Sequence, residues 1–236
     1  LPTVLGEVSF SGPEESQVTL TRSSSPETPP FRLLTIAKDA KVTVDRMTFT
    51  GGEAELGGGI LNEGQLVLHM SEVSGNVAGA KGGGIFNSGR MLLLHTSVVD
   101  NSAEGVRSIG FGPAGIGRGG GIYNTNDLRM TASTLAGNRA NREGGALWNE
   151  GWATLQISTL MDNSAESFVF APLAVPLGRG GAIHNTSFVS IVSSTITGNR
   201  ANREGGGIFS NVTRFRVDPS TITSSILADN AIGDLT

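Results

Sequence analysis

Apolar residues return along this chain at regular intervals, and between them apolar and polar residues alternate. The alternation has a period of two, which is typical of short β-strands. An isoleucine or leucine directly follows each glycine-rich phrase. It recurs at intervals of 25, 37, 25, 36 and 25 residues, which indicates a basic coil of 25 residues. These anchor residues are Ile60, Ile85, Ile122, Leu147, Ile183 and Ile208.

Two further apolar columns follow the same repeat. Three inward columns predict three short sheets per coil, and each sheet must be parallel because successive coils run in the same direction. The pattern predicts an all-β fold, a single-stranded parallel β-helix (solenoid) of about eight coils of about 25 residues, with two apolar loop insertions. Parallel crossovers are almost always right-handed, so we expect a right-handed helix. The two columns are Leu68, Leu93, Met130, Leu155, Ile191 and Ile222, and Val73, Val98, Leu135, Leu160, Ile196 and Leu227.

Glycines and polar residues mark the turns. A phosphate-binding loop needs a helix after its glycines, but here a strand follows, so we interpret the glycine phrase as structural. Stacked asparagines hydrogen-bond along a column and tolerate left-handed turns. A hydroxyl column is interpreted in the same way and supplies no nucleophile. The asparagine columns are Asn76, Asn101, Asn138, Asn163, Asn199 and Asn230, and Asn62, Asn87, Asn124, Asn149 and Asn185; the hydroxyl column is Ser71, Thr96, Ser133, Ser158, Ser194 and Ser225.

The two longer intervals carry 12 and 11 extra residues at one corner of alternate coils. Both insertions follow the string Asp-Asn-Ser-Ala-Glu, and the string Asn-Arg-Ala-Asn-Arg-Glu-Gly-Gly occurs at 138–145 and again at 199–206. A unit of two coils is therefore duplicated.

We predict one β-helix domain over residues 1–236. It comprises an irregular N-terminal coil or cap at 1–30, regular coils at 31–236, and insertions at 105–117 and 167–177. The last coil ends with a sequence like the one that precedes each insertion, so we expect the natural protein to continue beyond Thr236.

Composition excludes several classes of protein. The chain has 34 glycines without a collagen period, and its hydrophobic content of 38% is too high for disorder. No apolar run reaches the roughly 18 residues of a membrane-spanning helix, so no transmembrane segment is expected. The absence of cysteine excludes disulfides and cysteine-based metal sites. A net charge of −4 without a basic block disfavours nucleic acid as a partner.

Charged residues form a column four positions before the anchor, and its last four members alternate in sign. We interpret them as an ion-pair ladder that stabilises the coils, in preference to a catalytic group. The aspartates Asp100, Asp162 and Asp229 recur only every second coil, too far apart to ligate one ion. We therefore predict no metal and no cofactor. The ladder consists of Arg118, Glu143, Arg179 and Glu204.

The position after the anchor carries a ring in five successive coils. Strand alternation predicts that these side chains point outward. Such a stripe could bind a glycan or a protein, because aromatic faces combine large contact area with few rotors. The alternative is self-stacking, with His184 as a stacking member and not a general base. His69 and His95 occupy other columns and are predicted not to pair. The stripe consists of Phe86, Tyr123, Trp148, His184 and Phe209.

Both insertions are more apolar than surface loops should be. Because they emerge from one corner two coils apart, their side chains are expected to form a single patch that binds a partner. The alternative is that the insertions fold back and cover the aromatic stripe. The patch residues are Ile109, Phe111, Ile116, Phe168, Phe170, Leu173, Val175 and Leu177.

Three phrases carry a family resemblance: Gly-Gly-Gly-Ile-Leu-Asn-Glu-Gly-Gln-Leu (57–66), Gly-Gly-Gly-Ile-Phe-Asn-Ser-Gly (82–89) and Ser-Thr-Ile-Thr-Gly-Asn-Arg-Ala (194–201). They resemble secreted bacterial right-handed parallel β-helix proteins, notably the group with an N-terminal CSLREA motif and a C-terminal surface anchor. They are also similar to the repeats of chlamydial polymorphic outer-membrane proteins. The resemblance implies secretion and an extracytoplasmic location, either secreted, cell-surface or periplasmic. It implies no particular chemistry, and neither the CSLREA motif nor an anchor is present.

These observations favour a non-catalytic structural, adhesive or assembly subunit that binds a protein partner or a cell-envelope assembly. The competing hypothesis is a carbohydrate-active enzyme, a polysaccharide lyase or hydrolase, which needs a local break in the repeat. The least repetitive charged cluster is Arg214, Arg216 and Asp218. A passive glycan-binding module is the third hypothesis.

Overall fold

The computed structural model describes residues 3–105, 116–167, 177–212 and 220–232. Within these ranges the chain forms short strands and turns and contains no helix. The strands assemble into four sheets, each strand pairing in parallel with the equivalent strand of the next coil. The fold is the predicted right-handed parallel β-helix, with eight strands in three of its sheets.

The first sheet contains the strands that follow the glycine phrase. They are Thr3–Val4, Leu34–Ile36, Ile60–Asn62, Ile85–Asn87, Ile122–Asn124, Leu147–Asn149, Ile183–Asn185 and Ile208–Ser210. The second sheet contains the longer strands Glu7–Ser11, Lys41–Asp45, Gln65–His69, Arg90–Leu94, Asp127–Thr131, Trp152–Gln156 and Phe188–Val192, and the shorter Thr221–Thr223.

The third and fourth sheets complete each coil. The third consists of Val18–Thr21, Met47–Thr50, Glu72–Ser74, Ser97–Val99, Thr134–Ala136, Thr159–Met161, Thr195–Thr197 and Ile226–Ala228. The fourth consists of Glu53–Leu56, Val77–Lys81, Ser102–Ala103, Arg139–Ala140, Ser164–Ala165, Arg200–Ala201 and Ala231–Ile232.

The prediction of three sheets per coil is wrong, because the fourth sheet has an inward column of its own. That column consists mainly of alanine, whose small side chain does not distinguish an inward strand position from a turn. Its buried members are Ala78, Ala103, Ala140, Ala165 and Ala201.

The predicted inward columns fill the interior, except in the last coil, where Ile222 and Leu227 are each 47% exposed. In one coil the side chains of Ile122, Met130 and Leu135 are at most 1% exposed. Register is kept across both insertions, since Ile85 pairs with Ile122 and Leu147 pairs with Ile183. The insertions therefore leave the core undisturbed.

The N-terminal coil is more regular than the sequence suggests. Its strands Thr3–Val4, Glu7–Ser11 and Val18–Thr21 pair in register with the second coil. Only residues 12–17 and 22–33 of this coil run as longer segments without a strand.

Glycine is required at the corner before the first sheet. Gly144 has a φ of 67°, in the left-handed region that glycine adopts without strain. A Cβ on Gly145 would lie 2.1 Å from the carbonyl oxygen of Gly181 in the next coil. The coils therefore touch through their backbones here.

The asparagine columns form the predicted ladders. The Oδ1 of Asn138 accepts hydrogen bonds from the backbone N and the Nδ2 of Asn101, at 3.1 and 3.0 Å. The Nδ2 of Asn138 donates to Asn163 Oδ1 at 3.0 Å and to the Val98 carbonyl oxygen at 2.8 Å. In the second ladder, Asn124 Nδ2 donates to the Oδ1 of the next asparagine at 2.7 Å.

The hydroxyl column also makes hydrogen bonds between coils. Ser133 Oγ accepts a hydrogen bond from the Thr96 backbone N at 3.0 Å and donates to the Thr131 carbonyl oxygen at 2.8 Å. Such hydroxyls hold turns together, as the sequence predicts.

Replacing Asn138 by alanine is expected to lower the free energy of unfolding by about 2–4 kcal/mol, because several buried groups lose a partner worth about 1–3 kcal/mol each. Urea unfolding followed by circular dichroism measures this change. Asn126→Ala is the matched control, since the Asn126 side chain makes an exposed bond of 3.2 Å. Equal effects of the two substitutions would contradict a stabilising role of the ladder.

Candidate functional site

The five ring residues form one continuous stack along the first sheet, which we call the ring stack. Adjacent strands bring each ring beside the next, since Tyr123 pairs with Phe86 on one side and Trp148 on the other. Centroid distances are 5.3 Å for Phe86–Tyr123, 6.0 Å for Tyr123–Trp148, 3.9 Å for Trp148–His184 and 4.9 Å for His184–Phe209.

The centre of the ring stack is buried although strand alternation turns it away from the interior. Tyr123, Trp148 and His184 are 0%, 5% and 3% exposed. They are not part of the apolar core, which the preceding residues Ile122 and Leu147 join.

Cations from the neighbouring corner cover part of the ring stack. The Nζ of Lys81 lies 4.6 Å from the ring centroid of Tyr123, and the Cζ of Arg118 lies 4.5 Å from that of Trp148. Arg179 is placed in the same way, 5.1 Å from the Phe209 centroid. Each cation reaches the ring of the next coil, in the geometry of a cation–π contact.

The charged column lies beside the ring stack. Its members bridge successive coils, and the Nε of Arg118 donates to Glu143 Oε2 at 2.9 Å. The Nε of Arg179 lies 3.1 Å from Glu204 Oε2. Glu143 is only 5% exposed, and its carboxylate is compensated mainly by Arg118, with the Nε of Arg142 farther away at 4.0 Å.

Burial changes the protonation of two members of the ring stack. Burial and a 2.8 Å hydrogen bond to Glu150 raise the pKa of Tyr123. The same Glu150 Oε1 accepts from Trp148 Nε1 at 3.1 Å. Burial, together with the positive charges of Arg118 and Arg179, lowers the pKa of His184 to about 3. His184 is therefore neutral near pH 7.

Both insertions begin and end at equivalent points of their coils. Ala103 pairs with Ala78 and Arg118 bridges to Lys81, so the chain leaves and rejoins the coil at points that two residues, 79 and 80, connect in the preceding coil. The second insertion lies likewise between Ala165 and Arg179. We call the described residues at the two ends of each insertion its stem: 104–105 with 116–117, and 166–167 with 177–178. The two stems share one corner, as the sequence predicts.

An asparagine of the following coil holds each stem. Asn141 Nδ2 donates to the Glu104 carbonyl oxygen at 2.7 Å. Asn202 Nδ2 donates to the Ser167 carbonyl oxygen at 3.1 Å, and the Gly178 backbone N donates to Asn202 Oδ1 at 2.8 Å. Both asparagines belong to the repeated eight-residue string. The recurrence of this string about one coil after each insertion was the signal that could have revealed this role.

Two of the predicted patch residues lie in the described parts of the stems. Ile116 is 39% exposed, and the Leu177 backbone N donates to Ser167 Oγ at 3.0 Å. The other patch residues, Ile109, Phe111, Phe168, Phe170, Leu173 and Val175, lie outside the described residues, as do Arg214, Arg216 and Asp218. The patch therefore remains a prediction.

The histidines outside the ring stack require a correction. His69 and His95 were predicted not to pair, but their ring centroids are 6.1 Å apart with an interplanar angle of 81°. His95 follows the strand that pairs with the His69 strand, and it has a left-handed φ of 49°. This turn brings its ring beside His69. Over the described ranges, no three His, Asp or Glu side chains converge as metal ligands.

One segment matches a known protein family. Residues 193–211 match the Chlamydia polymorphic membrane protein (Chlamydia_PMP) repeat. The chain is a β-helix repeat protein similar to that repeat. The matched segment includes the strands Thr195–Thr197 and Ile208–Ser210, and thus most of one coil. No curated protein and no solved structure matches the chain. The described residues include no helix that could span a membrane.

Replacing Arg118 by alanine is expected to lower the free energy of unfolding by about 3 kcal/mol, because the buried Glu143 loses its main counter-charge. Arg129→Ala is the control, since Arg129 is 68% exposed in its pair with Asp127 and such pairs contribute at most about 1 kcal/mol. Urea midpoints of both variants measure the difference. A neutral Arg118→Ala would show that the ladder does not stabilise the coils.

Acid is expected to weaken the fold through His184. Its pKa is about 3 in the folded protein, below its ordinary value of 6.5, so the unfolded chain binds the proton more readily. Stability from this group is fully present above pH 6.5 and is lost as the pH falls toward 3, by up to about 1.4 kcal/mol per pH unit. Urea midpoints between pH 7.5 and 4.5 measure the slope. His184→Phe should reduce it, and an unchanged slope would exclude His184 as the cause.

Proposed function

We propose that this chain is a non-catalytic, extracytoplasmic scaffold, structural or adhesive, that presents its two insertions to a protein partner. The observation that carries the proposal is the placement of the stems. They leave one corner two coils apart, and an equivalent asparagine holds each of them. Two insertions held in this way can contact one surface of a partner.

The rest of the described structure supports a scaffold. The asparagine and hydroxyl columns use their polar groups between coils, so these side chains are committed to stability. The match to the chlamydial membrane protein repeat supports a location at a bacterial surface. In this proposal the stacked coils of the β-helix serve to present the insertions.

The alternatives have less support from the described residues. A glycan bound to the ring stack would have to displace the cations that cover Tyr123 and Trp148. The charged column gives little support for an enzyme, because its arginines and glutamates repeat along the chain and pair across coils. We therefore propose neither activity.

The experiment compares the intact chain with a variant that lacks both insertions. Residues 104–117 and 166–178 are each replaced by Gly-Ala, the two residues that occupy this corner at positions 79 and 80. We expect the variant to fold, because the core keeps its register across the insertions, and to lose a partner that the intact chain captures from the native envelope fraction. Circular dichroism and urea midpoints verify folding.

Two further variants sharpen this experiment. Phe168→Ser with Phe170→Ser removes apolar surface but keeps the second insertion, and it should weaken capture if that surface contacts the partner. A variant of the stem asparagines, Asn141→Ala with Asn202→Ala, should weaken capture while leaving the asparagine ladders intact. Equal capture by the intact chain and the insertion-less variant would refute the proposal.

A further inference from the structure

The pair formed by His69 and His95 lies on the opposite part of the coil from the insertions, between the second and third sheets. A carboxylate orients one of the two rings: His69 Nδ1 lies 2.7 Å from Asp45 Oδ1. The other carboxylate oxygen of Asp45 lies 2.7 Å from the Arg46 guanidinium. Asp45 is thereby held from two sides.

This contact decides which nitrogen of His69 is available. An ionised carboxylate only accepts hydrogen bonds, so Nδ1 must carry the proton and Nε2 keeps its lone pair in the neutral ring. Carboxylate–histidine pairs of this kind are the usual support of a metal-bound imidazole, because they fix the tautomer and raise the basicity of the ligand. Arg46 balances the charge of Asp45, and the two ligands of such a site are neutral imidazoles.

The second ring stands at a suitable distance. When each nitrogen lies about 2.0–2.1 Å from a shared ion, each ring centroid lies about 3.2 Å from it, so the two centroids are at most about 6.4 Å apart. The observed separation is 6.1 Å, and the rings are nearly perpendicular at 81°. The His69 side chain is 36% exposed and His95 is exposed, so an ion can reach both and water can complete its coordination.

We propose that His69 and His95 bind one divalent transition-metal ion, with Asp45 as the residue that orients His69. The ion joins two successive coils, since His69 ends a strand of one coil and His95 follows the paired strand of the next. Imidazole suits Cu²⁺ and Zn²⁺, and Cu²⁺ binds more tightly to a given set of nitrogen ligands. Bound metal should stabilise the folded chain, because an unfolded chain does not hold the two rings together.

The test titrates the intact chain with Cu²⁺ and separately with Zn²⁺ at pH 7.5, by calorimetry and by the electron paramagnetic resonance of Cu²⁺. We expect one saturable site, a Cu²⁺ spectrum with two nitrogen ligands, and a higher urea midpoint with Zn²⁺. His69→Gln and His95→Gln should each abolish saturable binding. Asp45→Asn should retain both ligands but weaken affinity by about 10–100-fold.

His184→Phe serves as the control, because it removes the third histidine of the chain and should leave the titration unchanged. The proposal is overturned if the chain with both His69→Gln and His95→Gln binds Cu²⁺ as tightly as the intact chain, or if the intact chain shows no saturable binding. Loss of binding in His184→Phe, with that variant folded, would likewise overturn it.

Discussion

From the second coil onward, each coil of this protein is tied to the next by a buried asparagine amide, and the remaining architecture depends on that bond. An unpaired buried amide costs about 1–3 kcal/mol per group, so a coil cannot slip or tilt without losing several such bonds. The bonds are short and uniform, between 2.7 and 3.0 Å along the ladders that pass through Asn124 and Asn138. This constraint explains how the chain tolerates two insertions without a change of register.

The two-coil period is also visible in the packing beside this ladder. The residue before the ladder asparagine is Asp100 in one coil and Gly137 in the next, and both have a left-handed φ. A Cβ on Gly137 would lie 2.2 Å from Asp100 Oδ1, so the carboxylate uses the space that a side chain would fill. Asp162 and Gly198 repeat the arrangement at 2.3 Å. Glycine in the coil that follows thus leaves room for the aspartate side chain, and the insertions accompany the aspartate coils.

The corner beside the first sheet combines three kinds of interaction. Aromatic rings stack along the axis, cations of the preceding coil lie on them, and carboxylates compensate the arginines. Glu143 and His184 are both buried here, the first paired and the second neutral. Each insertion ends next to this cluster, since Arg118 and Arg179 directly follow the two insertions.

The sequence alone determined the coil length, three of the four inward columns, both asparagine ladders and the corner of the insertions, because each is a local signal that the repeat multiplies. The fourth sheet escaped detection because alanine marks its inward column too weakly. The tertiary structure alone decided that the ring stack is covered, since strand alternation gives the direction of a side chain and not what lies over it. Lys81 and Arg118 reach rings of the next coil, and His95 reaches His69 of the coil before. Such contacts exist only once coils are stacked, because stacking brings together residues that the sequence separates by a whole coil.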